Sequence, residues 1–171
     1  MRNNYYDHYF WTLTARIFGR CGVEWRWMKA LALAESGLDP QDVSPAGAVG
    51  VMQLMPSTAK EVAGRLGIEC RPRVPHINIE LGIAYAKFCW DWWKAEKGIE
   101  RILFMIGSYN AGPGNILIAQ QKAAARGLPS DQWLSIIETL PAVTGDHASE
   151  TITHVARVAS FFTQLSEGEK K

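Results

Sequence analysis

The sequence predicts an all-α fold on three observations. Apolar residues recur at steps of three and four along most of the chain, no stretch alternates convincingly with period two, and Gly and Pro fall between the periodic stretches. The length of 171 residues suits one domain with a sizeable core, since a chain of about 150 residues buries roughly 70% of its unfolded surface.

The elements follow in order. Tyr6, Phe10, Leu13, Ile17 and Arg20 mark an amphipathic first helix, ended by Cys21-Gly22. A second helix runs from about Val23 to Ser36 and stops at Gly37, as a C-terminal glycine dictates. Residues 38–55 carry Asp39-Pro40, Ser44-Pro45, Gly47 and Gly50, the punctuation of a loop. A third helix starts at Pro56, with Ser57 or Thr58 expected to cap it and Glu61 placed for a capping box. After a loop over 71–75, Asn78 is expected to cap a long helix reaching about Lys97. Gly98 separates it from a helix over 100–109 that is apolar on nearly every side and therefore predicted to be central. Asn110 to Gly114 break that helix. Further helices are predicted over 115–126, 131–139 and 148–165, with Ser166 to Lys171 as a polar tail. No internal repeat is evident, and no linker is long enough to divide the chain.

Composition narrows the function. With 18 Lys+Arg against 17 Asp+Glu the net charge is +1, which gives no support to a protein that wraps nucleic acid, where a basic face is expected. No run of about 18 apolar residues occurs, so no membrane span is expected. Cys21, Cys70 and Cys89 form no CxxC pair and are expected to be buried thiols. The first twenty residues lack the charged start, apolar block and small-residue cleavage site of a secretory signal. The aromatic residues concentrate in 5–27 and 85–93. Most are expected in the core, with a few free to line a groove for a flat ligand such as a sugar.

Three segments can carry chemistry. Glu35 ends an apolar helix, where the helix dipole and the apolar surroundings both favour the protonated carboxyl that a general acid needs. The plain alternative is an exposed Glu tolerating its position. In residues 44–56 the glycines permit close backbone approach, the Gln53 amide can bond a sugar hydroxyl or N-acetyl group, and Met52 and Met55 can pack on a sugar face. The alternative is a structural loop whose methionines plug the core. In Ser108-Tyr109-Asn110-Ala111-Gly112, Tyr109 can bring a phenol to a buried polar site and Asn110 can bond backbone or ligand. The alternative is a simple helix stop. His147, Glu150 and His154 fall at steps of three and four, a spacing that suits a metal, but the HExxH order is absent and a solvated helix face is the favoured reading. His8 and His76 have no partner in sequence.

Glu35-Ser36-Gly37, Ser44-Pro45-Ala46-Gly47-Ala48-Val49-Gly50-Val51-Met52-Gln53-Leu54-Met55-Pro56 and Ser108-Tyr109-Asn110-Ala111-Gly112 resemble, in order and spacing, the motifs of the soluble-type (SLT) lytic transglycosylases, relatives of goose-type lysozyme. The resemblance covers about residues 23–165. It implies a lysozyme-like helical domain with a groove for peptidoglycan glycan strands, an N-terminal helix over 1–22 packed on it, and a tail over 166–171. Glu35 is then the sole catalytic acid/base, and Ser44 contacts the N-acetyl group of the reacting muramic acid. Gln53 and Met55 line the groove, with Met52 read from its residue type as a further substrate-binding residue, Tyr109 hydrogen-bonds near the catalytic carboxyl, Asn110 shapes the site, and Glu138 in Glu138-Thr139-Leu140-Pro141 is a further groove carboxylate. The C-terminal motif departs from the family pattern: Glu150-Thr151 follows an extra segment over 142–149, and His154 stands where Tyr is usual.

The implied reaction splits the bond between N-acetylmuramic acid and N-acetylglucosamine without water, leaving a 1,6-anhydromuramic end. Ordinary hydrolysis on the same fold, with Asp39, Asp42 or another carboxylate holding a water, is one alternative. A peptidoglycan-binding module without activity is another. No cofactor or metal is implied, and a monomer is expected. Action is expected in the periplasm or cell wall, reached as a phage-encoded protein or by another export route.

Overall fold

The structure is a computed structural model that describes residues 4–168, and it is helical as predicted. The helices are α1 (Asp7–Phe18), α2 (Trp25–Ser36), α3 (Pro56–Leu66), α4 (Pro75–Trp92), α5 (Gly98–Ala111), α6 (Pro113–Ala125), α7 (Trp133–Thr139), α8 (Pro141–Thr144) and α9 (His147–Glu167), with a 3-10 turn over Gly19–Cys21. Among the described residues the extended pairings are isolated bridges, Val43 with Val49 and Val49 with Leu54. No helix among them is long and apolar enough to cross a membrane. The chain forms two compact units. One takes in residues up to Tyr85 and from Val158 onward, and the other is Ala86–Arg157.

In the first unit α1 presents Phe10, Thr14 and Phe18, four residues apart, as its buried stripe. α2 buries nearly all of residues 27–34. Lys29 is 3% exposed, and its ammonium pairs with the Asp7 carboxylate of α1. Burying a charge this deeply is costly unless it is paired. Arg16 reaches Glu80 of α4 at 2.5 Å, and the Tyr9 ring stacks on His76 with centroids 6.0 Å apart. α1 is thus fastened to both α2 and α4.

The second unit centres on α5, whose residues Phe104 to Tyr109 are all buried, as its all-round apolar pattern requires. Phe104 packs edge-on against Trp93 and Trp133, with centroids 5.0 and 5.9 Å away. The Trp93 indole N–H donates to Ser108 Oγ at 2.8 Å. Gly107 has no room for a side chain, because a Cβ there would lie 2.3 Å from the Trp133 ring. The Trp133 backbone N–H, at the start of α7, donates to the Glu100 carboxylate at 2.6 Å, an anion at a helix N-terminus.

Several local expectations are corrected. Neither Ser57 nor Thr58 caps α3: Met55 holds the cap position without a side-chain bond, and Pro56 occupies the first turn, where its missing N–H costs nothing. Asn78 lies inside α4, which starts three residues earlier, and α4 ends at Trp92 instead of Lys97. Cys89 is buried, but Cys21 and Cys70 are exposed. Ser166 and Glu167 complete α9 instead of forming a tail, while positions 169–171 lie outside the described residues.

His154 is 4% exposed, so it does not lie on the solvated face expected for α9. Burial penalises its imidazolium, and Arg157 adds repulsion, which lowers the pKa from 6.5 to about 4. Between these values the unfolded chain binds a proton that the fold refuses. Stability is therefore full above pH 6.5 and falls as the pH drops toward 4, by on the order of 3 kcal/mol across the window. Urea unfolding at pH 7 and pH 4.5 is expected to show this decline, and His154→Gln is expected to flatten it.

Candidate active site

The sequence candidates divide between the two units. In the first, α2 ends where the Gly37 N–H donates to Leu33 O at 3.1 Å, with Gly37 at φ +67°. Glu35 sits half-buried on that last turn. Its neighbour Ser36 donates its hydroxyl to Val51 O at 2.8 Å, which ties the helix end to the following loop.

That loop satisfies its own peptide groups. The Ser44 and Ala48 backbones pair through Ser44 N–H and Ala48 O at 3.0 Å, and the Ala48 N–H returns to Ser44 Oγ at 3.0 Å. Ser44 Oγ therefore acts as an acceptor there, and its hydrogen is left to donate. Val49 and Leu54 exchange both backbone bonds at 3.0 and 3.1 Å. Gln53 holds a left-handed backbone at φ +44°, unusual for a residue with a side chain. Its Nε2 donates to Asp42 O at 3.2 Å and Gly50 O at 3.0 Å. Both amide hydrogens are spent, so the oxygen is the atom Gln53 can offer a ligand. Met55 is 41% exposed and free to pack on an apolar surface. Asp39 accepts from the Gln41 N–H at 2.8 Å, so its carboxylate serves its own turn.

Met52 does not line a groove. Its side chain is fully buried, and it fills the space above Gly82, where a Cβ would come within 2.5 Å of it. The bland reading of that methionine as core is the right one. The feature that sequence reasoning missed is Asn78. It has no exposed surface, and its amide makes three bonds: Met52 N–H to Oδ1 at 2.7 Å, Nδ2 to Val49 O at 3.0 Å, and Nδ2 to Pro72 O at 2.8 Å. Its position near a helix start mimicked a cap, and nothing local in the sequence pointed to partners up to 29 residues away.

In the second unit Tyr109 is buried near the end of α5 and Asn110 is half-buried beside it. Asn110 Oδ1 accepts from the Thr151 hydroxyl at 2.7 Å. Thr151 thus reaches the Tyr109-Asn110 motif in spite of the extra segment over 142–149, part of which folds as α8. Glu138 is exposed and pairs with Arg126 at 3.4 Å. The His147, Glu150 and His154 set does not share one environment: His147 and Glu150 are exposed and 3.8 Å apart, whereas His154 is buried.

Residues 16–129 match the family described as the Transglycosylase SLT domain. The membrane-bound lytic murein transglycosylase F of Desulfosudis oleivorans is 30% identical over 92% of this chain, which spans 36% of that relative's length. The 70 kDa soluble lytic transglycosylase of Escherichia coli superposes with a TM-score of 0.70 at 22% identity, covering 91% of this chain and 24% of its own. The inactive glutamate-to-glutamine mutant of the lytic transglycosylase Slt from Pseudomonas aeruginosa superposes with a TM-score of 0.68 at 28% identity, again over 91% of this chain and 24% of its own.

Removing the Asn78 amide takes this partner from the buried Met52 N–H and the part-buried Pro72 carbonyl, while the Val49 carbonyl keeps its bond from the Leu54 N–H. At about 1–3 kcal/mol per orphaned group, Asn78→Ala is expected to cost at least about 2 kcal/mol, seen as a lower urea midpoint with an unchanged slope.

Proposed function

The chain belongs to the transglycosylase SLT-domain family, and on that footing we propose that it is a peptidoglycan lytic transglycosylase with Glu35 as its sole acid/base. The observation that carries the assignment is the placement of Glu35: half-buried on the last turn of α2, one residue from the Ser36–Val51 bond that joins this helix end to the loop bearing Ser44 and Gln53. The names of the relatives, lytic murein transglycosylases, support the substrate, and the inactive glutamate-to-glutamine mutant of the Pseudomonas protein supports a catalytic carboxyl.

The reaction is proposed to run in two steps. Glu35 gives its proton to the glycosidic oxygen between N-acetylmuramic acid and N-acetylglucosamine, and that bond breaks. The acetamido oxygen of the muramic residue stabilises the positive charge at C1, with the free hydroxyl hydrogen of Ser44 donated to the substrate there. Glu35, now a carboxylate, accepts the proton of the muramic C6 hydroxyl as that oxygen closes onto C1. The product is a 1,6-anhydro end, and no water is consumed. Because the C6 oxygen is tethered to the ring it attacks, the second step gains from proximity. A second carboxylate, which most glycosidases need, is not required.

The remaining groups are assigned to binding. The Gln53 oxygen accepts from a sugar hydroxyl or amide, Met55 packs on a sugar face, Tyr109 offers its phenol and Asn110 its amide to the glycan strand, and Glu138 contributes a further carboxylate. The catalytic domain is taken as residues 23–165 with α1 packed on it, acting as a monomer on glycan strands at the cell wall.

Glu35→Gln is expected to lower turnover of glycan strands by about 10³-fold, within the usual range for losing an acid/base group, with thermal unfolding unchanged. Turnover at wild-type rate by that variant overturns the assignment. Mass spectrometry of the products is expected to show ends one water lighter than reducing ends, and reducing ends make the protein a hydrolase instead. Ser44→Ala is expected to slow turnover about tenfold, the loss of one hydrogen bond to a charged transition state.

A further inference from the structure

We propose, resting on the Glu35 reading above, that Asn78 is a positioning residue that fixes the helix end bearing Glu35 and the amide of Gln53 in register with each other. All three hydrogen-bonding sites of the Asn78 amide that point into the fold are used, and its orientation is settled: flipped, its NH₂ would face the Met52 N–H and its oxygen would face two carbonyls. Two of these partners, Val49 and Met52, bracket the turn over 49–52. Within it, Gly50 lies so close that a Cβ would meet Asn78 Nδ2 at 2.8 Å. The next residue, Val51, accepts the Ser36 hydroxyl at 2.8 Å, and Ser36 adjoins Glu35. On the other side of the turn, Gln53 follows Met52 directly, held at φ +44° with its amide bound to Asp42 and Gly50 carbonyls. Met52, seated over Gly82, holds the turn from beneath. One buried amide therefore holds the turn that is bonded on one side to the helix end bearing Glu35 and leads on the other into Gln53, a proposed substrate acceptor.

A group that sets the geometry of an acid acts on kcat, because displacement of reacting groups by about 1 Å can cost on the order of 10²-fold. The test measures cleavage of soluble glycan chains by the full chain, at a temperature where circular dichroism shows each variant folded. Asn78→Ala is expected to lower kcat by about 10–100-fold with KM changed less than about threefold. Ile116→Ala, a core truncation within α6, supplies a matched loss of stability and is expected to keep the wild-type kcat. Ser36→Ala is expected to lower kcat several-fold, and the double variant with Asn78→Ala to be no slower than Asn78→Ala alone, since both act through one turn.

Wild-type kcat in Asn78→Ala, an equal loss in Ile116→Ala, or independent multiplication of the Ser36 and Asn78 effects overturns the proposal. If Asn78→Ala does not fold, Ser36→Ala and Gly82→Ala decide: slower turnover in both upholds it, and wild-type turnover in both overturns it. The same assay separates this proposal from its foundation. Activity retained by Glu35→Gln removes the acid assignment itself, whereas an inactive Glu35→Gln beside a fully active Asn78→Ala removes the positioning role alone.

Discussion

The segment between α2 and α3 has neither a helix nor a sheet to absorb its peptide groups, and burial makes that a strict demand, because each unpaired polar group away from water costs as much as a lost hydrogen bond. The chain meets it with side chains. Ser44 closes the first turn on Ala48, Gln53 closes the second on Asp42 and Gly50, Ser36 takes Val51, and Asn78 takes Val49 and Met52. Ser44 and Gln53 are also candidates for ligand contact because a loop satisfied in this way leaves specified atoms over. For Ser44 that atom is a hydroxyl hydrogen, and for Gln53 it is a carbonyl oxygen.

The helices were legible because each buries one stripe or one whole surface, and the spacing of apolar residues records which. The stops at Gly37 and Gly112 were legible because each sits at positive φ, where glycine is at ease. The short-range polar readings fared worse. Ser57 and Thr58 look like caps, yet Pro56 had already taken the first turn. Asn78 has the sequence setting of a cap, yet its bonds run to a loop far back along the chain. A capping rule considers a few neighbouring residues, whereas a buried amide is decided by whichever distant peptide groups lack partners.

The candidate residues divide along the same line. Glu35, Ser44, Gln53, Tyr109 and Asn110 could be named from residue type and motif order, but not what each one's polar atoms are already bound to. Met52 shows the cost of reading type alone: a thioether suited to a sugar face is wholly enclosed over Gly82. The Thr151–Asn110 bond shows the reverse. The C-terminal motif arrives late in sequence, yet its threonine still finds the asparagine. The match to the family begins at residue 16, within α1, so Asp7 and Phe10, which engage Lys29 and the core, lie outside it.

The contact between Gly107 and Trp133 bears on how this scaffold tolerates change. With an indole 2.3 Å from where a methyl group would stand, positions 107 and 133 cannot drift separately: a larger residue at the first is admissible only alongside a slimmer one at the second. Libraries built to retune this half of the molecule should therefore diversify the two as a couple, and chimaeras that import α5 from one parent should take α7 from the same parent.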